Sequence, residues 1–231
     1  MKITDLKKKL DKFSLDIKSL EIPEGKIYGI IGPNGCGKTT AMKLMAGVMK
    51  PDSGKIDYCG LTPRDITMVL RKPYLLHDTV ERNLIYPLKL RKIKPDITLI
   101  DHYLEITGLT DYRNKYALTL SGGEQQKLAL ARALIFSPKL ILIDEAFSNM
   151  DIESVAFFED YILKTQTEDP LTKTPSEPKT FIIISHQLSN IKRMCEYTFF
   201  MHNGEIITSG ETDKLLSSPD NDKLKQYLNY M

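Results

Sequence analysis

The chain has 231 residues, 42% hydrophobic and 27% charged, with 32 Lys and Arg against 30 Asp and Glu and a net charge of +2. This is the composition of a soluble globular protein long enough to bury an α/β core, and so slight a charge gives no reason to expect nucleic acid as the main partner. Three cysteines without metal-ligand spacing argue against a disulfide framework and for a reducing, cytoplasmic setting. No apolar run approaches the ~18 residues of a membrane span and no signal-peptide core is expected at the N-terminus; if the protein serves a membrane, another polypeptide crosses it.

Taken in order, residues 1–25 alternate apolar and polar (Phe13, Leu15, Ile17, Leu20, Ile22), predicting antiparallel edge strands before a turn at Pro23-Glu24-Gly25. Lys7-Lys8-Lys9, with Lys2 and Lys12, is expected to be a solvated basic face. Lys26–Ile31 reads as a buried strand and Thr40–Ala46 as a helix with an apolar face. Pro51-Asp52-Ser53-Gly54 is a turn and Lys55–Tyr58 a short strand. From about Ile66 to Ser137 the periodicity becomes helical, punctuated by Pro73, Pro87 and Pro95, which predicts a helical insertion (66–137) into a core made of 1–65 and 138–231. Leu140–Ile143 is a buried strand, Ile152–Lys164 a helix, and Gln166–Lys179, with three prolines, an exposed loop of unusual length. Phe181–Ile184 is a further strand, Tyr197–Met201 and Glu205–Ser209 pair across His202-Asn203-Gly204, and the C-terminus is helical and polar.

Chemistry concentrates where these elements meet. Gly32-Pro33-Asn34-Gly35-Cys36-Gly37-Lys38-Thr39 fits G-x-x-x-x-G-K-[ST] between a strand and a helix, and Thr40 continues it. Its glycines let successive N–H groups turn inward round an anion at the positive end of a helix dipole. Lys38 supplies charge for the β- and γ-phosphates and the Thr39 hydroxyl a ligand for Mg²⁺. Asp144, ending the Leu140–Ile143 strand, is placed to hold Mg²⁺, and Glu145 to polarise an attacking water. Ser121 reads as the N-cap of a helix running through Leu134, with Gly122 and Gly123 leaving N–H groups bare as a second anion site. Cys36, at a helix N-terminus, is expected to have a lowered thiol pKa and, if the loop binds nucleotide, to be shielded from alkylation by it.

In these motifs the chain resembles the nucleotide-binding domain of an ATP-binding cassette (ABC) ATPase over nearly its whole length. Gly32–Thr39 resembles that family's Walker A loop, Leu120–Gln125 its signature, Leu140–Glu145 its Walker B strand, Ser148–Asp151 its D-loop and His186 its switch histidine. The resemblance implies a phosphate-loop hydrolase core with N-terminal antiparallel β strands and an inserted helical signature subdomain. It also implies Glu145 and His186 as catalytic residues, ATP and Mg²⁺ as ligands, and a homodimer sandwiching two ATP. The implied role is the ATPase of a membrane transporter, an importer first, with a transmembrane permease subunit as partner on the inner face of the cell membrane, met by the Thr79–Leu84 stretch; a soluble non-transport ABC ATPase or a low-turnover ATP switch is the alternative. Ile66–Pro73 and Tyr86–Arg91 resemble tungstate-type oxyanion importer ATPases. Two positions depart from the family pattern: Arg71 stands where a glutamine is usual, and Leu10 aligns with the adenine-stacking aromatic. Phe13, close by, is either that platform or a core residue.

Overall fold

The computed structural model describes residues 1–11, 13–148 and 150–230. β1 (Lys2–Leu10) and β2 (Phe13–Glu21) form an antiparallel pair that buries Ile3, Leu6, Leu15, Ile17 and Leu20 on one face. The opposite face is solvated, with Lys2 and Lys7 paired to Glu21 and Asp16 at 3.0 and 2.9 Å, while Lys8, on the inner face beyond Leu6, reaches Asp52 at 2.6 Å. Lys12 of the expected basic face lies outside the described residues. β3 (Ile27–Ile31) leads into α1 (Lys38–Met45), and β4 (Ser53–Asp57) joins β1 to complete a three-stranded sheet. Ser53 and Gly54, expected in a turn, are therefore strand residues.

The helical run expected from Ile66 begins later. Ile66–Val69 is β5, and helices follow as α2 (Val80–Leu90), α3 (Ile97–Thr107) and α4 (Gly122–Leu134). β5 pairs in parallel with β6 (Leu140–Asp144), Ile66 opposite Leu140 and Val69 opposite Ile143, so it belongs to the core sheet. Ile66, Thr67 and Val69 are β-branched, which suits a strand, and four residues are too few to show a helical period. Pro87 lies inside α2 rather than ending it.

The chain continues through α5 (Ile152–Thr165), β7 (Thr180–Ile184), α6 (Leu188–Met194), the β8 (Tyr197–His202) and β9 (Glu205–Glu211) hairpin, α7 (Thr212–Ser217) and α8 (Asp222–Asn229). The large sheet runs β5-β6-β7-β3-β8-β9, parallel except for the hairpin. Every residue of β3, β6 and β7 is buried, as strands covered on both faces must be. Alternate residues serve the two faces: Leu140 and Leu142 pack with α1 and the small sheet, Ile141 and Ile143 with the helices. The result is a sheet layer between a helical layer and an antiparallel β layer.

The segment between α5 and β7 is an ordered loop. Lys179 N–H donates to the Gln166 carbonyl at 2.7 Å, and the Gln166 amide to the Gly25 carbonyl at 2.9 Å. Inside it, the Asp169 carboxylate accepts from the Leu171 and Thr172 N–H groups, both at 2.9 Å. Lys179 is buried and donates its ammonium to the Thr165 carbonyl at 2.8 Å; burial lowers its pKa.

Candidate nucleotide site

Four neighbouring strands, β5, β6, β7 and β3, open their carboxyl ends onto one crevice, the usual ligand position in a parallel sheet. β3 runs into the glycine-rich loop, β6 ends at Asp144 with Glu145 next, β7 leads to Ser185 and His186, and β5 leads to Arg71.

The loop takes backbone shapes that only glycine supplies cheaply. Gly32 has φ 149° and Gly37 φ 107°. A Cβ on Gly32 would collide with the Met201 carbonyl, and one on Gly37 with the Phe13 ring. Phe13 thus lies directly on the loop and packs against the core of the small sheet, the second of the two alternatives its sequence position left open. Lys38 is 6% exposed and folds back, donating to the Gly32 and Pro33 carbonyls at 2.7 and 3.0 Å. A hairpin turn braces the loop from below: Gly204 N–H donates to the Cys36 carbonyl, and Asp16 N–H to the Gly204 carbonyl, both at 2.9 Å. Sequence reading found the Asn-Gly turn but not this role, which depends on a tertiary contact. α8 was likewise missed as a neighbour. Its Tyr227 lines, with Gly32, Pro33, Asn34 and His186, a cavity of about 450 Å³.

Cys36 corrects an expectation. Its side chain is buried, and desolvation pushes the thiol pKa up against the pull of Lys38. The helix N-terminus does not outweigh burial here, so slow alkylation of Cys36 with or without nucleotide is what burial dictates.

Thr39 Oγ1 donates to Asp144 Oδ2 at 2.8 Å, tying the first helical turn of α1 to the end of β6. Asp144 is 4% exposed; burial raises its pKa, the Thr39 hydrogen bond opposes that, and the Glu145 charge adds to it. The pair offers hard oxygen donors. Among the described residues no cluster of three or more His, Cys, Asp or Glu could hold a metal alone. A hydroxyl and one carboxylate fit an ion that takes its remaining ligands from phosphate and water, as Mg²⁺ does.

Glu145 has φ 51°, a left-handed conformation uncommon outside glycine. Its N–H donates to the Ile184 carbonyl at 3.0 Å, and its carbonyl accepts from the Ser148 hydroxyl at 3.0 Å, so both neighbours hold it there. His186 Nε2 stands 2.5 Å from Oε1, and Arg71 Nη1 3.2 Å from Oε2. The arginine is out of line for a hydrogen bond, and Oε2 is buried without a hydrogen-bond partner.

The signature stretch lies elsewhere, in the helical layer, where α4 packs on α2, α3 and β5. Ser121 caps α4 in a capping box: its hydroxyl accepts from Glu124 N–H at 3.4 Å, and Glu124 Oε2 from Ser121 N–H at 2.7 Å. The box occupies the Ser121 and Glu124 N–H groups and leaves those of Gly122 and Gly123 as first-turn donors. Of the Ser148–Asp151 stretch, Asn149 lies outside the described residues; Asp151 caps α5 and approaches Lys127 of α4 at 3.7 Å.

A family model described as ABC transporter matches residues 15–148. The chain is 36% identical over 208 residues to a tungstate uptake system ATP-binding protein of Peptoclostridium acidaminophilum, covering 86% of this chain and 91% of that protein. It is 31% identical over 233 residues to a methionine import ATP-binding protein of Geobacillus kaustophilus, covering 93% of this chain but 65% of that protein. It is 30% identical over 237 residues to a probable sulfate/thiosulfate import ATP-binding protein of Chlorella vulgaris, covering 98% and 97%.

Proposed function

This chain belongs to the ABC transporter family, and on that premise we propose that it is the ATP-hydrolysing subunit of a membrane importer, closing as an ATP sandwich of two copies. The observation that carries this reading is the convergence of Lys38, Thr39, Asp144, Glu145 and His186 on one crevice of four adjacent strand ends. Residues 70–137 act as the helical signature subdomain of the core.

In this reading Gly32–Thr40 cradle the phosphates of ATP through backbone N–H groups, and Lys38 turns from its two carbonyls to the β- and γ-phosphates. Thr39 and Asp144 would hold Mg²⁺, which when bound neutralises phosphate charge. Glu145 polarises the attacking water, and His186 orients the Glu145 carboxylate through Oε1. The phosphate loop and the Ser121-Gly122-Gly123 donors belong to different layers, so a second copy supplies its signature to the first copy's nucleotide. Closure follows because ATP binds the closed pair better than the open one.

No helix among the described residues is long and apolar enough to cross a membrane, and a permease subunit at the inner face of the membrane would take that part. A groove of about 390 Å³ between the β5 edge of the sheet and the helical layer, walled by Met68, Leu70, Tyr74, Tyr86 and Leu90, supports such docking. Tyr74 is 81% and Leu90 58% exposed, apolar surface that a partner would cover. The likeness to the tungstate uptake protein favours an oxyanion as cargo.

The test is steady-state ATP hydrolysis by the wild type beside Glu145→Gln, with size-exclusion chromatography in Mg-ATP. Turnover that falls at least ~100-fold in the variant, together with a dimer trapped by Mg-ATP, is the expected result. Turnover unchanged in Glu145→Gln would overturn the assignment of the catalytic carboxylate.

A further inference from the structure

A carboxylate that polarises water must present an oxygen to that water, and in the structure both Glu145 oxygens face a nitrogen group. Oε1 is held by His186 at 2.5 Å. Oε2 is buried, has no hydrogen-bond partner, and lies 3.2 Å beneath the guanidinium of Arg71. The arginine is 66% exposed, so it sits over the carboxylate as a cover with one face in solvent. A misaligned, half-solvated ion pair is a weak contact, easily exchanged for a better anion.

A better anion is what ATP brings. Arg71 leaves β5 at the rim of the crevice into which the phosphate loop opens, and the γ-phosphate carries more charge than a carboxylate. We propose that Arg71 is a positioning residue, a latch that keeps Glu145 Oε2 covered until the γ-phosphate draws the guanidinium away and opens that oxygen to water. This rests on the assignment of Glu145 as the water-polarising group. The latch gives the arginine two linked effects: with ATP bound the guanidinium still divides its time between Glu145 and the γ-phosphate, which restrains kcat, and it contributes to the preference for ATP over ADP, which lacks the γ-phosphate.

The experiment compares wild type, R71Q and R71K for kcat and KM, and measures ATP and ADP binding separately in an E145Q background without Mg²⁺, where turnover plays no part. For R71Q we expect kcat to rise roughly two- to five-fold and ATP affinity to fall by a similar factor, the scale of an exposed ion pair. ADP affinity should stay unchanged. R71K, which keeps a cation on a flexible stem, should lie nearer the wild type in both quantities. Melting temperatures of all variants identify any that fail to fold, and ADP binding independently reports an intact phosphate loop. A lower kcat in R71Q, or equal loss of ATP and ADP affinity, would overturn the latch. If E145Q retains full turnover, the underlying assignment fails instead; if E145Q is inactive and R71Q behaves as wild type throughout, the latch alone fails.

Discussion

Asp144 shows how a buried carboxylate weighs on the stability of a fold. Burial raises its pKa in the folded state above the unfolded value, so over the interval between the two the folded chain binds more protons. Stability attributable to this group therefore falls as pH rises through that interval and stays low above it. Asp144→Asn keeps an oxygen to accept from Thr39 and removes the buried charge. The nucleotide-free variant is expected to melt higher than wild type at pH 8, by no more than a few degrees, the scale of about 1 kcal/mol in a chain of this size. Near pH 3 the difference should vanish, and Mg-ATP is expected to raise the melting temperature of the variant less than that of the wild type. Scanning fluorimetry at both pH values, with and without Mg-ATP, checks all of this. Asp144 and Thr39 were legible from spacing alone, because the motif and the strand end dictate their approach. The cover of Arg71 over Glu145 was not, since it depends on β5 lying beside β6, a pairing no local pattern reveals.

At the scale of elements, the β8–β9 turn and α4 make separate predictions. Gly204 has φ 85°, and a Cβ there would strike the Ser14 carbonyl, so Gly204→Ala must displace the turn that braces the Cys36 carbonyl. Nucleotide affinity is expected to fall about ten-fold, the equivalent of ~1.4 kcal/mol, in equilibrium binding of ATP and ADP alike. Ser121→Ala removes the N-cap of α4 and should cost about 1 kcal/mol of stability, seen as a lower denaturation midpoint. Its effect on turnover should appear only where copies associate, so hydrolysis should lose its dependence on protein concentration. The helix of Ser121 and the Asn-Gly turn were both readable, since caps and turns are local chemistry. β5 was misread as helix because four residues carry too little period to separate the two.

For the whole molecule, three layers divide the labour. The small sheet and hairpin support the loop, the parallel sheet gathers Asp144, Glu145 and His186 at its strand ends, and the helical layer carries Ser121-Gly122-Gly123 and forms the apolar groove with β5. Leu90→Lys places a charge on an exposed wall of that groove without opening the core. The wild type is expected to copurify with a polytopic membrane protein from native membranes and the variant to lose it, while still binding ATP in isolation. Copurification judged by mass spectrometry decides it. The layered α/β plan was legible because buried parallel strands read as continuous apolar runs, as in Leu140–Ile143 and Phe181–Ile184. The long segment after α5 was legible only as a loop. Its structure explains its length: Lys179 bonds back to Gln166, so the segment leaves the core and returns at a single point. Everything beyond that closure is topologically a side branch. A tag or fluorophore-bearing peptide spliced in near Thr172-Lys173 would therefore lengthen the branch without parting α5 from β7, giving a handle for following the subunit through its cycle.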